Sequence, residues 1–450
     1  MASTYLSRTF GTATNRKIFT ISLWFKKATN AANQQFLDTG VDGNNQDGFK
    51  IHSSQALKFN GYESGTTYEL QSNAVLKDPS GWYNAVVSFD STQSTSTDRL
   101  KMYLNGEEIT SFSGATYPSL NFEPLMNKNT AHFIGSTFSN SNYFDGCMSH
   151  YHFIDGTAYG ASAFGSTDST TGEWQINTSP SVTYGNNGFF ILKNGNSVTD
   201  QSGNNNNFTL GGGTLTNTLD CPDNVFNTLN PLENFYSNYT YAQGNTAVAS
   251  TSSNRTYVTS TLAMPSGKYY WECKLDATIG DSGGASTSVY VGITGQTPIS
   301  PSQFPSDGTC FNCVMNTNGQ VYSNGSTIGS AMGSAWATST FVMMAYDADN
   351  NKMYFGKDGT WLNSGDPTSG ATGTGAFTPT TAASATPIGV YMPMWGVDFN
   401  ASYGTSFNFG NGYFGTTAVA SAGTPGSTPG TFEYDVPSGY EPLSTKGLNA

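Results

Sequence analysis

Hydrophobic and polar positions alternate along most of this chain with a period of two, in short runs broken by Gly, Asn, Ser and Pro clusters. That is the pattern of half-buried strands and turns, and almost no stretch shows the 3.6-residue period of a helix. In FTISLWF, residues 19–25, Phe19, Ile21, Leu23 and Phe25 fall on one face and Trp24 on the other. WYNAVVSF (82–89) is a second such run. RLKMYL (99–104) is followed by Asn105-Gly106, a hairpin signal because both residues tolerate positive φ. Further along, KYYWECKL (268–275), TFVMMAY (340–346) and KMYF (352–355) repeat the pattern, with Asp358-Gly359 as another turn. Many short strands with regular turns predict an all-β protein built of sandwiches or barrels.

The chain has 450 residues, room for two to four domains at roughly 100–200 residues each. DCPDNVFNTLNPLE, with Pro222 and Pro231, separates two strand-rich regions, and its apolar Val225, Phe226 and Leu229 mark an ordered connector. The predicted organisation is a first domain at 1–219, a connector at 220–234, and a second domain at 235–450 with a C-terminal tail.

Composition changes the picture in three ways. Charged residues are only 11% of the chain, against about 25% in an average soluble protein, so the surface is neutral, polar and able to hydrogen-bond. The net charge of -13 repels a phosphate backbone and argues against a nucleic-acid partner. The start, MASTYLSRTF, has no apolar run, and no stretch approaches ~20 apolar residues. Neither a signal peptide nor membrane insertion is expected, and the chain is expected to be made in a reducing cytoplasm. The five cysteines, Cys147, Cys221, Cys273, Cys310 and Cys313, are too sparse for a disulfide framework.

Catalytic signatures are missing. Glu107 and Glu108 are adjacent and face opposite ways, and Glu63, Glu69 and Glu123 stand apart, so no paired carboxylates for glycoside hydrolysis are evident. The chain is expected not to be an enzyme. Cys310-x-x-Cys313 lacks the second pair of a zinc site. His150 and His152 are placed by alternation on one surface-facing strand face without an acidic third ligand.

The first part, about residues 1–215, resembles the concanavalin A-like laminin-G jelly rolls. TYLSRTF, FTISLWFKK, GWYNAVVSFD, RLKMYLNGEEI, HFIGS and YFDGCMSHYHFIDG carry the resemblance. GFFILKNGNSVTDQSGNNNNFTL (188–210) is similar to the family's opening strand but comes last here, which suggests either a permuted single sandwich, the favoured reading, or the remnant of a second one. The second part, about 235–445, resembles SPRY domains through SGKYYWECKLD, VYVGIT, MMAYDADNNKMYFGKDGTWLNSGDP, SFNFGNGYF and PSGYEPL. The resemblances imply an all-β chain of two tandem antiparallel β-sandwiches, a concanavalin A-like jelly roll plus a SPRY-like sandwich. Their pairing in an Asn/Ser/Thr/Gly-rich chain is similar to virion or tail-fibre proteins of marine bacteriophages. This implies a virion-surface protein, a tail fibre or head decoration, that binds a host glycan or receptor alongside other virion proteins. A homotrimer is the expected assembly; a purely structural virion role and a glycan-degrading enzyme are the alternatives.

The laminin-G resemblance implies that no cofactor is required beyond a structural Ca²⁺, for which Asp155, Asp200 and Asn204 are the candidate ligands. Glycan binding calls for an aromatic platform with Asp, Asn or Gln beside it. The loop 38–47 (DTGVDGNNQD) offers Asp42, Asn44, Asn45 and Asp47, with Tyr62 nearby; the second domain offers Tyr322, Trp336, Trp361 and Trp395. Trp24, Trp82 and Trp271 are expected to pack the cores.

Overall fold

The computed structural model describes residues 3–30, 32–63, 65–193, 197–233, 239–250, 256–279, 289–300, 311–329, 336–381, 386–397, 402–420 and 423–449. The chain divides into two units, Met1–Asn217 and Thr218–Ala450. Each is built from antiparallel sheets stacked face to face. The segment 220–234 belongs to the second unit, where Phe226 bridges Ser444 and Leu229 bridges Ser260.

Among the described residues the first unit has sixteen strands: β1 (Tyr5–Thr9), β2 (Ile18–Lys27), β3 (Gln34–Asp42), β4 (Asn45–Ile51), β5 (Ala56–Glu63), β6 (Thr66–Val75), β7 (Tyr83–Asp90), β8 (Leu100–Leu104), β9 (Glu107–Glu108), β10 (Phe112–Thr116), β11 (Ala131–Ile134), β12 (Gly146–Asp155), β13 (Gly165–Thr167), β14 (Trp174–Ile176), β15 (Phe189–Ile191) and β16 (Thr209–Gly212). An eight-stranded sheet runs β10-β6-β5-β4-β3-β11-β1-β16, and a six-stranded sheet runs β15-β12-β2-β7-β8-β9. The last two strands of this unit, β15 and β16, thus supply one edge of each sheet. Between the sheets lies a core rich in Phe: Phe19, Phe25, Phe36, Phe49, Phe59, Phe89, Phe153 and Phe189 among others. β2 follows its alternation, with Phe19, Ile21, Leu23 and Phe25 in this core. Trp24, buried on the opposite face, is outside it, and Trp82 is only half-buried. The Asn105-Gly106 step has φ 47 and 88 and joins β8 to β9 as a tight hairpin.

In the second unit one sheet runs through 239–242, 247–250, 402–408, 268–279, 341–347, 352–357 and 360–361, and Glu441–Pro442 pairs in parallel with the 268–279 strand. The other runs through 256–259, 392–397, 289–294, 312–316, 321–323 and 326–329. Trp271 and Trp395 centre its core. The turn residues Asn351 and Asp358 take φ 54 and 46, as the motif around 347–361 requires.

Candidate functional site

Alternation fixes the two faces of the eight-stranded sheet. Phe49, Ile51, Leu57, Phe59 and Leu70 point into the core, so Gly48, Lys50, Lys58, Asn60, Tyr62, Glu69 and Gln71 point away from it. A register shift between Gln35 and Leu37 puts Gln35 and Asp38 on that outward face as well. Cross-strand pairing then assembles two adjacent rows. One runs Phe133, Asp38, Gly48, Asn60, Glu69 across β11, β3, β4, β5 and β6. The other runs Gln35, Lys50, Lys58, Gln71.

Glycines let side chains lie flat on this face. A Cβ at Gly48 would collide with the Gln35 amide, one at Gly40 would stand 2.6 Å from the Phe138 ring, and Cβ atoms at Gly114 and Gly211 would strike Glu69 and the Tyr5 ring. The result is a shallow surface. At its β1 end lie three half-buried rings, with Tyr5 6.2 Å from Phe133 and 6.3 Å from Tyr143 between centroids.

Beside the rings is a compact polar group. Gln35 Nε2 donates to Asp38 Oδ2 at 2.6 Å, and the Phe138 backbone N–H donates to Asp38 Oδ1 at 2.8 Å. Burial pushes the Asp38 carboxyl up to about 7, against the opposing pull of the Phe138 N–H, the Lys50 charge and the Gln35 amide. Lys58 pairs with Glu69 at 2.8 Å. The side-chain oxygens of Gln35 and Asn60 are buried with no partner among the described residues, and a buried acceptor left unpaired calls for an ordered water. Such a surface can stack a sugar ring and hydrogen-bond its hydroxyls.

The sequence-derived candidates are scattered by the structure. Residues 38–47 are not a loop but the hairpin β3–β4. At its exposed tip, the Asp42 carboxylate accepts from Asn44 N at 2.8 Å and Asn45 Nδ2 at 3.0 Å, which shapes the turn. Asp47 has core parity and is fully buried; it accepts from Met126 N at 2.7 Å beside Tyr68. It cannot meet a ligand. Tyr62 is half-buried on the outward face, at the rim beyond Asn60. In the second unit Trp395 is core, its indole N–H donating to Thr405 Oγ1 at 2.9 Å. Trp336 packs on the edge of that core. Tyr322 lies on the outward face of the six-stranded sheet, bonded to Gln320, and Trp361 on the outward face of the other sheet against Tyr270 and Tyr354. These four lie at different places in the unit and form no common site.

The calcium ligands do not fit either. Asp155 already accepts from Thr14 N (2.6 Å), Asn15 N (3.1 Å), Asn127 Nδ2 (2.7 Å) and Asn187 N (3.1 Å). Asp200 accepts from Phe190 N, Ser202 N, Ser202 Oγ and Asn206 N at 2.8–2.9 Å. Asn204 donates to the Gly185 and Gly188 carbonyls. Both carboxylates are saturated by N–H and O–H donors, and among the described residues no group of three His, Cys, Asp or Glu could hold a metal. His150 and His152 are buried, not surface-facing, and a bulge between Ser149 and His152 breaks their alternation. Cys313 is buried with its thiol pushed well up by burial; Cys310 lies outside the described residues.

Sequence reasoning missed Tyr5, Gln35, Lys50, Lys58, Asn60, Glu69, Phe133 and Tyr143 as a group. The usable signal was the polar alternate of β4 and β5 (Gly48, Lys50; Lys58, Asn60, Tyr62).

Comparison with known proteins bears on the first unit directly: residues 2–161 match the model of the Concanavalin A-like lectin/glucanases superfamily. No curated protein matches the chain. Among solved structures, the chain is similar to the SPRY domain of human HERC1, at 14% identity and TM-score 0.29, over 38% of this chain and 91% of that one. It is similar to the carbohydrate-binding module (CBM40) of a Ruminococcus gnavus sialidase, bound to α2,6-sialyllactose, at 14% identity and TM-score 0.24, over 32% and 88%. It is also similar to domain 4 of the arabinanase AbnA from Geobacillus stearothermophilus, in complex with arabinotriose, at 17% identity and TM-score 0.25, over 32% and 63%.

Proposed function

We propose that this chain is a non-catalytic glycan-binding protein, and that the outward face of the eight-stranded sheet in its first unit receives the sugar. The observation that carries the reading is the juxtaposition on one face of three half-buried aromatic rings, Tyr5, Phe133 and Tyr143, with the half-buried polar side chains of Lys50, Lys58, Asn60 and Glu69. Rings supply stacking area at low entropic cost, and the fixed polar groups select hydroxyls. The match of residues 2–161 to a superfamily of lectins and glucanases supports it.

Binding is favoured over hydrolysis by the placement of the carboxylates. Asp38 and Glu69 sit three strands apart in one row, so their backbones are about 14 Å apart at ~4.8 Å per strand. A glycosidase pair works at about 5–9.5 Å between carboxyls. Glu69 is moreover engaged by Lys58, and Asp38 by Gln35 and Phe138.

The setting we propose is a phage virion, as a tail fibre or head decoration, supported by the pairing of a laminin-G-like with a SPRY-like sequence in an Asn/Ser/Thr/Gly-rich, weakly charged chain. A homotrimer would raise weak single-site affinity through multivalency. Electron microscopy of a particle carrying the chain tests the setting: outward-facing first units agree with host attachment, and burial of this face against other virion proteins favours a purely structural role.

The binding itself is tested on a glycan array followed by calorimetry. Tyr143→Ala is expected to weaken the best ligand by about tenfold, the equivalent of ~1.4 kcal/mol, with an unchanged melting temperature. Absence of binding to every array glycan by folded protein would overturn the proposal.

A further inference from the structure

The outward face of β3 to β6 carries a cluster of basic side chains in a chain whose net charge is -13. Lys50 and Lys58 are direct cross-strand partners, an arrangement that is destabilising on its own because like charges stand about 5 Å apart at Cβ. His52, at the end of β4, is close enough to feel both ammonium groups. The acidic groups facing this cluster are Asp38 and Glu69.

These charges are unequally compensated. Lys58 has Glu69 at 2.8 Å. Asp38 is committed to Gln35 Nε2 and the Phe138 N–H. Among the described residues Lys50 makes no hydrogen bond or ion pair; Asp38 and Glu69 act on it only at longer range. It is nonetheless largely withdrawn from water, and that withdrawal together with Lys58 depresses its proton affinity. An ammonium half-removed from solvent, beside a second ammonium and without a contacting anion, stands at a free-energy disadvantage that an incoming anion would relieve. Its cross-strand neighbours are Gln35 and Lys58, and neither supplies it with an anion.

We infer that the glycan taken by this face is an acidic one, and that Lys50, half-buried on it, receives its carboxylate or sulfate. This rests on the glycan-binding reading above and adds the charge class of the ligand. The face extends across β1, β11, β3, β4, β5 and β6, about 24 Å at ~4.8 Å per strand, which is long enough for several units of a linear acidic polysaccharide running from the aromatic rings to the lysines.

The test is calorimetry of the full chain with four probes: an oligogalacturonate bearing carboxylates, a sulfated galactan oligosaccharide, and the neutral agaro- and laminari-oligosaccharides of similar length. One acidic probe is expected to bind at least about tenfold more tightly than either neutral one, with affinity falling as salt rises. Which acidic probe wins distinguishes carboxylate from sulfate. Lys50→Gln is expected to remove about tenfold of that affinity, and Lys50→Arg to retain most of it. Lys50 has no hydrogen-bond or ion-pair partner among the described residues to orphan, so neither variant should melt below the parent, and Lys50→Gln, which removes the Lys50–Lys58 repulsion, should melt at or above it. Equal binding of a neutral probe, or an affinity unmoved by Lys50→Gln while Tyr143→Ala abolishes it, overturns the acidic ligand and leaves glycan binding standing. Failure of all four probes together with a blank glycan array overturns both.

Discussion

Glu272 in the second unit is fully buried, and its carboxylate accepts from Glu433 N and Tyr434 N, both at 2.9 Å, and from the Tyr270 hydroxyl at 2.7 Å. Burial outweighs these donors and pushes its carboxyl up to about 7. Glu233 and Asp276 are also raised by burial, and all four histidines of the chain lie in the first unit. A carboxyl whose native pKa exceeds its unfolded value of about 4 binds more protons when folded, so its contribution is largest at acid pH and is lost as pH rises from about 4 to about 7. The unfolding transition of residues 218–450 should therefore move to lower temperature between pH 5 and pH 8, and Glu272→Gln should flatten that dependence. A transition that rises over this range would contradict the assignment. In the first unit Asp38 and Asp47 act in the same direction, but His132 and His152, held low by burial, act in the opposite one.

At the scale of the element, strands were legible wherever one face is apolar and the other polar: β2, β7 and β8 emerged from alternation, and their turns from Asn-Gly chemistry. The candidate site was not legible, for two physical reasons. Its residues come from strands far apart in sequence, β1, β3, β4, β5, β6 and β11, and only the pairing register joins them. The shift between Gln35 and Leu37 reverses the parity of half a strand, and nothing in QQFLDTG announces it. Parity also explains the misplaced aromatics, since Trp395 differs from a surface tryptophan only by which side of its strand it occupies. The glycines test this account. Gly48→Ala should displace the Gln35 amide and weaken glycan binding, with a melting temperature within a few degrees of the parent. Gly61→Ala would drive a Cβ into Asp47 and the Tyr68 hydroxyl inside the core and should cost about 1–3 kcal/mol of stability, read as a lowered denaturation midpoint. Equal effects of the two on stability would mean that the two faces are wrongly assigned.

For the whole molecule, sequence patterning was sufficient for the all-β class and for sandwiches in series, because both follow from alternation, turn spacing and the absence of helical periodicity. The calcium expectation came from resemblance alone and fails on local chemistry: the Asp155 and Asp200 oxygens are filled by donors from Thr14, Asn127, Asn187, Ser202 and Asn206. A bound cation would have to displace several charge-assisted hydrogen bonds worth about 1.5–3 kcal/mol each. Millimolar Ca²⁺ or excess chelator should thus leave the melting temperature of the first unit unchanged; a rise with Ca²⁺ would show that a cation reaches oxygens assigned here to hydrogen bonds. The most direct measurement of where the ligand sits is a crystal structure of the full chain with the tightest-binding array glycan. Sugar density is expected on the outward face of the eight-stranded sheet, with a ring against Tyr5 or Tyr143 and a polar contact to Lys50. Density at the 42–45 hairpin tip, or on residues 218–450, would contradict this placement.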